Sequence, residues 1–218
     1  MIIGTDPRAR WHICQRARSH IHTRRAVLEW GMHTSAPPLF EDAVLRDGDL
    51  LLDALTVLDA PRIAEACNDP QTQRWLPLPT PYSHDDALFY VNQMAHHSLD
   101  SGDGIERAIR LDGDFVGVIG LKETSRAAAK TEAGYWLAPW GRGQGVMTRA
   151  LRLLTDWALD TQGIGRVEAH VAPENGASLG VARRAGFIEE GLMRRAGFTH
   201  AGPTDLVLFS RLADDPRP

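Results

Sequence analysis

The 218 residues predict a single mixed α/β domain built on one sheet, and three observations carry that prediction. An aromatic-rich strand, Glu132 to Leu137, runs into a glycine-rich turn and then a long amphipathic stretch. Two apolar runs, Ile105 to Leu111 and Phe115 to Leu121, flank Asp112-Gly113-Asp114, a short hairpin signal. A strand over Arg166 to Val171, a short helix and two further strands complete the chain, so the sheet is mixed, carries about four helices and has no internal repeat.

Before the hairpin, Leu50 to Leu58 reads as a strand, and Asp59-Ala60-Pro61 opens a helix through Cys67 in the cap-then-proline order. A short helical turn follows Asp69-Pro70 and ends near Trp75. Leu76 to Tyr82 holds three prolines and reads as a semi-rigid loop that either packs on the core or walls a pocket. Ser83 caps a helix to about Ser98, with Leu88, Val91, Asn92 and Ala95 along one stripe. The long helix is read from Met147, Ala150, Leu151, Leu154, Trp157 and Ala158 at three- and four-residue spacing, with Thr148, Arg149, Arg152, Thr155 and Asp156 facing away. Ala185-Gly186 is a glycine stop for the helix after Ser178, and the last two strands fall around Gly191 to Arg195 and Thr204 to Arg211.

Residues 1–48 form a separate section. Residues 1–31 hold six arginines against Asp6 and Glu29, so the rest of the chain carries 18 basic and 26 acidic residues within an overall net charge of −4. The opening lacks the apolar core of a secretion signal, and it reads as an Arg-rich, mobile extension, with Met32 a candidate start. The acidic body favours a cationic partner such as an amine and disfavours nucleic acid as the main ligand. No apolar run approaches the roughly 20 residues of a membrane helix. Cys14 and Cys67 alone give neither a disulfide framework nor a cysteine zinc site, and the nine histidines lack ligand spacing, so no metal is expected and a reducing cytoplasm fits. The expected folded unit spans residues 49–213, with 214–218 as a tail.

The chemistry concentrates in Arg142-Gly143-Gln144-Gly145-Val146-Met147. Glycines let the chain turn tightly enough for several N–H groups at a helix start to point at one phosphate, where the helix dipole adds about half a positive charge. A tight turn without a ligand would carry the same glycines. The phosphate loop of nucleoside triphosphatases is excluded because no Gly-Lys-Ser/Thr follows. A dinucleotide fingerprint fits poorly, because Thr148 takes the third glycine position and Glu168 lies in mid-strand.

The order strand, Arg-Gly-Gln-Gly, helix, strand, Asn-x-x-Ser, helix, Gly-Phe resembles the GNAT superfamily of acetyl-CoA-dependent N-acetyltransferases, nearest its RimJ/RimL branch. The likeness covers about residues 45–212. It rests on Cys67-Asn68-Asp69-Pro70, Gly117-x-x-Gly120, Glu132 to Leu137, Arg142 to Gly145, Pro173 to Ser178, Ala185-Gly186-Phe187 and Asp205 to Leu208. Trp140 departs from the Gln/Arg that usually opens the glycine loop, and Arg149 stands where an acidic residue is common.

The resemblance implies a central, mostly antiparallel sheet of about seven strands, splayed between the fourth and fifth. It implies acetyl-CoA as co-substrate, with the diphosphate on the amides of Arg142, Gly143, Gln144, Gly145, Val146 and Met147. Leu137 and Ala138 would pair with the pantetheine arm like another strand, and Asn175 would hold that arm. Asn175-Gly176 could otherwise be a hairpin turn, but a helix follows it. Ser178 is the candidate donor to the leaving thiolate and Glu132 the first candidate base, with Glu123 and His170 in reserve; a structural carboxylate paired with an arginine for Glu132 and a helix-start role for Ser178 are the alternatives. Trp75, Tyr82 and Glu123 would select the acceptor.

The expected reaction is acetyl transfer to a primary amine. A protein N-terminal α-amine is favoured because, with a pKa near 8, about a tenth is neutral at pH 7, whereas a lysine amine must be deprotonated at about 4 to 5 kcal/mol. A small-molecule amine, or acyl-CoA binding without catalysis, are the alternatives. A second copy of the chain is left open as a partner.

Overall fold

The computed structural model describes residues 40–217; the Arg-rich section through residue 39, including Cys14 and Met32, lies outside the described residues. Eight strands form one sheet in the order β1-β2-β3-β4-β5-β6-β8-β7. They are β1 (Leu45–Asp47), β2 (Leu50–Ala54), β3 (Ile105–Leu111), β4 (Asp114–Ser125), β5 (Lys130–Leu137), β6 (Arg166–Val171), β7 (Ile188–Thr199) and β8 (Gly202–Leu212). Every neighbouring pair is antiparallel except β5 and β6. That parallel pair holds only from Lys130↔Arg166 to Glu132↔Glu168, after which the two strands diverge. The fourth and fifth of the seven predicted strands are these two, so the splay stands where it was expected.

The eighth strand is the correction. Leu45–Asp47 pairs with Leu50–Leu52 through a turn at Gly48, whose φ of 59° suits glycine. Phe40 is buried, its ring 5.9 Å from that of Trp157, and the buried Arg107 pairs with Asp42. The folded unit therefore begins at least by Phe40, not at residue 49. Arg217 likewise pairs with Asp156 and Asp160 on the long helix, so the expected tail is attached through that residue.

The helices are α1 (Ala60–Cys67), α2 (Pro70–Trp75), α3 (His84–Phe89), α4 (His96–Asp100), α5 (Val146–Thr161) and α6 (Gly176–Arg184), and a π-helical stretch, Tyr90–Ala95, joins α3 to α4. Capping chemistry sets their starts: Asp69 accepts from Thr72 N and Ser83 from Asp86 N. The predicted strand Leu50 to Leu58 stops at Ala54 because Asp59 accepts from Thr56 N at 2.9 Å and turns residues 57–59 into a 3-10 helix. Gly186, at φ 86°, ends α6 with Phe187 N donating to Ala182 O and Gly186 N to Arg183 O.

Two apolar layers sandwich the sheet. Val146, Ala150, Leu151 and Leu154 of α5 pack with Ile119, Tyr135, Val167 and Phe209 on one face. Ile63, Tyr82, Ala87 and Val91 pack with Val118 and Trp136 on the other. Thr148 and Thr155, expected to face away, are buried on α5.

Candidate active site

The turn before α5 is built by two left-handed glycines, Gly143 at φ 78° and Gly145 at φ 74°. At each, an added Cβ would meet nothing within 4 Å, so backbone conformation and not crowding demands glycine there. The first helical bond runs from Arg149 N to Gly145 O, which leaves the earlier amides without intrahelical partners, and Gly145 has no side chain to cap them. These amides border a cleft of about 580 Å³ lined by Gly143, Val146, Met147, Leu137, Asn175 and Ser178, among others. The cleft runs along β5 at Tyr135 to Leu137, beyond its last pairing with β6.

At the end of that stretch, Ala138 N donates to Val116 O at 2.9 Å and Ala138 O accepts from Gly141 N at 3.0 Å. Both backbone groups of Ala138 are thus committed within the protein, which corrects its assignment as a ligand-pairing residue. Peptide planarity turns the Leu137 carbonyl the opposite way, into the gap, where Arg142 Nε approaches it at 3.2 Å. The Arg142 side chain is itself structural: its guanidinium also binds Asp69 (2.7 Å), Thr72 (2.9 Å) and Gln71 (3.1 Å), fastening α2 to the end of β5. The Gln144 side chain turns back to Trp140 O. The Arg142 N–H donates to Pro139 O at 3.4 Å, which corrects its assignment as a diphosphate-binding amide, and Gln144 is not among the residues that line the cleft.

Asn175 caps α6, its Oδ1 accepting from Ser178 N at 3.2 Å. Ser178 is buried, and its Oγ lies 2.9 Å from the Tyr135 hydroxyl. Tyr135 was missed from sequence. Only its place in the alternation of β5 could have suggested it, because its partner lies 43 residues away. Burial raises the Tyr135 pKa well above that of a free phenol and outweighs the opposing Ser178 hydrogen bond, so the hydroxyl stays protonated.

At the apex of the splay sits a charged cluster. Lys122 Nζ is 2.8 Å from Glu132 Oε1, an ion-pair contact without hydrogen-bond alignment. His170 Nδ1 is 3.1 Å from Glu132 Oε2. Burial acts to raise the Glu132 pKa, but the His170 hydrogen bond and the Lys122 charge outweigh it, and the carboxyl titrates below its ordinary range. Burial opposes the charged form of His170 as well, yet the Glu132 and Glu168 carboxylates win and its pKa is raised. Geometry places the proton on Nδ1. Nε2, 3.4 Å from Glu168 Oε2, has no hydrogen-bond partner. Glu132 is therefore held in a buried ion pair, but its partners are Lys122 and His170 and not the expected arginine.

The acceptor-selecting candidates separate. Trp75 lines the large cleft and packs with Ala172 and Leu206. Tyr82 lines a second cavity, of about 180 Å³, beneath the opposite face of β5. Glu123 sits exposed on a β4 bulge at φ 51° and lines neither, which removes the reason to assign it a role in selection. Among the described residues no cluster could hold a metal, and no helix is long and apolar enough to cross a membrane.

The sheet splays after three parallel pairs and carries a glycine turn and a helix start at its open end. The family model described as "Acetyltransferase (GNAT) domain" matches residues 49–188, and the chain belongs to that family. The chain is 36% identical over 109 residues to "Putative ribosomal N-acetyltransferase YdaF" of Bacillus subtilis (strain 168), covering 50% of this chain and 60% of that protein. It is 30% identical over 103 residues to "Ribosomal-protein-serine acetyltransferase" of Escherichia coli (strain K12), covering 47% and 58%. The chain thus spans about six-tenths of the length of these curated relatives. Among solved structures, "Mycobacterium smegmatis RimJ in complex with CoA-disulfide" superposes with a TM-score of 0.71 at 25% identity, over 79% of this chain and 87% of that one.

Proposed function

We propose that the chain is an acetyl-CoA-dependent N-acetyltransferase acting on a primary amine, and that the amine is the α-amine of a protein N-terminus. One observation carries the reading: the amides of Gly143 and of Gly145 to Thr148, lacking intrahelical partners, border a cleft that runs along β5 beyond its last pairing with β6. The residues present fit the diphosphate and arm of a coenzyme A thioester. The turn amides and the positive end of α5 suit a diphosphate, and the gap-facing backbone of Leu137 and the side chain of Asn175 suit an amide-bearing arm. When bound, acetyl-CoA supplies an activated acyl group and a thiol leaving group.

The chain's residues supply the proton handling. Glu132 acts as the carboxylate that holds His170 in its Nδ1–H tautomer; His170 Nε2 is buried and borders neither cavity, so the proton that the acceptor nitrogen loses as its amide bond forms reaches it through a bridging water. Ser178 Oγ, held by Tyr135, donates to the departing sulfur. Relatives named for ribosomal substrates support a protein acceptor, as does the lower cost of deprotonating an α-amine.

The test is calorimetry with acetyl-CoA followed by thiol release with peptides bearing free N-termini. Binding with turnover on α-amines and little on internal lysines is expected. Binding without turnover on any amine would leave a non-catalytic acyl-CoA module, and no binding at all would end the proposal.

A further inference from the structure

The cleft along β5 carries side-chain charge of one sign. Among the described residues its lining holds no aspartate or glutamate and two arginines, Arg142 and Arg184. Arg142 is occupied, since its guanidinium is taken by Asp69, Thr72, Gln71 and the Leu137 carbonyl. Arg184 is exposed, and no carboxylate among the described residues engages its guanidinium. Its neighbour Arg183 pairs with Glu189 at 2.7 Å and lies outside the lining.

The spacing along α6 puts Arg184 in this place. Ala177, Val181 and Arg184 follow at four- and three-residue steps on one helix face, and all three line the cleft. Long helical side chains fold back toward the helix start. The Arg184 guanidinium does so over Gly180, where an added Cβ would fall 2.9 Å from Nη1. Thr148 of α5 lines the same cleft, buried and with its Oγ1 unpartnered among the described residues. One turn further along α5, about 6 Å on the helix axis, Arg152 donates from Nη2 to the Arg184 carbonyl, while its own Nε is buried without a partner. α5 thereby pins the end of α6 and sets a second positive charge behind Arg184. A cation that only complemented the dipole of α6 could sit anywhere around its last turn; this one borders a ligand space.

A coenzyme A thioester carries, besides its diphosphate, a phosphomonoester on the ribose, with about two negative charges at pH 7. The amides of Gly143 and of Gly145 to Thr148 suit one diphosphate and leave the third phosphate without a partner. Resting on the reading given under Proposed function, we infer that Arg184 forms a second anion site, which binds the ribose 3′-phosphate and selects the 3′-phosphorylated coenzyme over its dephospho form. Its distance from the turn, about one helical turn along α5, is a span that a ribose covers. The planar fork of a guanidinium suits two phosphate oxygens at once, and no carboxylate in the lining competes for it.

Calorimetry with coenzyme A and with 3′-dephospho-coenzyme A, on wild type and on Arg184→Gln, tests this. Wild type should bind coenzyme A at least about tenfold tighter than the dephospho form, the scale of one charge-assisted pair, and the ratio should shrink as salt is raised. Arg184→Gln should lose about that factor for coenzyme A and change dephospho-coenzyme A affinity by less than about twofold, so that discrimination disappears. Arg184→Lys, which keeps the charge without the fork, should fall between the two. Arg183→Gln should keep the discrimination of the wild type. Equal losses for both ligands in Arg184→Gln would assign Arg184 to the diphosphate and overturn the inference, as would a wild type that does not discriminate. A ratio lost equally in Arg183→Gln would place the effect in the general field of the α6 end and overturn it too. Each of these results leaves the N-acetyltransferase reading standing, whereas a wild type that binds neither ligand overturns both.

Discussion

The two cavities that meet at Tyr135 and Trp136 are built from different materials. The larger has one wall of main chain, with glycines in left-handed conformation, a helix start and a strand edge beyond the last β5–β6 pair, and side chains such as Trp75, Asn175 and Val181 on the other. The smaller is lined by side chains on three strands, two helices and a loop, with Glu106 and Lys122 lying over Gly120 and Gly134. A backbone site tolerates side-chain change and fails when φ or space is altered, whereas a side-chain site behaves in the opposite way. That difference orders the experiments.

The largest effect is expected where the backbone site is filled. Gly145→Glu places a carboxylate in the open space beside the turn amides and forces a left-handed non-glycine conformation costing about 1–2 kcal/mol. Acetyl-CoA affinity should fall at least about 100-fold by calorimetry, because an anion then competes for the amides a phosphate needs. Gly145→Ala, with the strain and no charge, should lose far less. Equal losses in the two variants would mean that shape rather than anion binding governs the turn.

Next come the groups at the apex of the splay. If His170 Nε2 is the base, the rate rises with pH as the imidazolium deprotonates, and the raised pKa puts that limb above the ordinary histidine value. His170→Gln should lower kcat about 10- to 100-fold and abolish the limb. Glu132→Gln removes the carboxylate that raises the pKa, so the limb should move to lower pH. It also strands the buried Lys122 ammonium, at a stability cost of about 3–5 kcal/mol in thermal or denaturant unfolding. A limb in the carboxylate range in wild type, absent from Glu132→Gln, would instead make Glu132 itself the base.

A smaller effect belongs to the hydroxyl pair. Ser178→Ala should cost about 10- to 100-fold in kcat, and Tyr135→Phe, which leaves Ser178 present but less well oriented, about threefold. Acetyl-CoA affinity should hold in both. If Tyr135→Phe proved the more damaging, the phenol rather than the serine would be the donor to sulfur.

What could be read from sequence follows the same division. The glycine turn and α5 were legible because Gly143, Gly145 and the apolar spacing of α5 are local signals, whereas the splay was expected only from the family resemblance. Leu45–Asp47 escaped because three residues show no alternation. The π-helical stretch at Tyr90 escaped because its apolar residues fit the spacing of an ordinary α-helix. Glu106 could not be recognised, since its surroundings are set by strand register with Gly120 and Gly134 and by a hydroxyl 16 residues away. Thr148 was misplaced because periodicity finds a face without saying that a cleft borders it. Lys122 and His170, the partners of Glu132, come from strands that only tertiary pairing brings alongside.

The smallest expected change is the sharpest test of a site made from main chain. Gln144 lies between the two left-handed glycines, and its side-chain amide points away from the cleft to Trp140 O at 3.1 Å. Gln144→Ala keeps every backbone amide of the turn and removes only that exposed hydrogen bond, whose net worth is about 1 kcal/mol or less. Acetyl-CoA affinity should therefore shift by less than about twofold and kcat/KM by no more. A loss approaching that of Gly145→Glu would mean that the Gln144 side chain swings to grip the ligand, and that this cavity too depends on side chains.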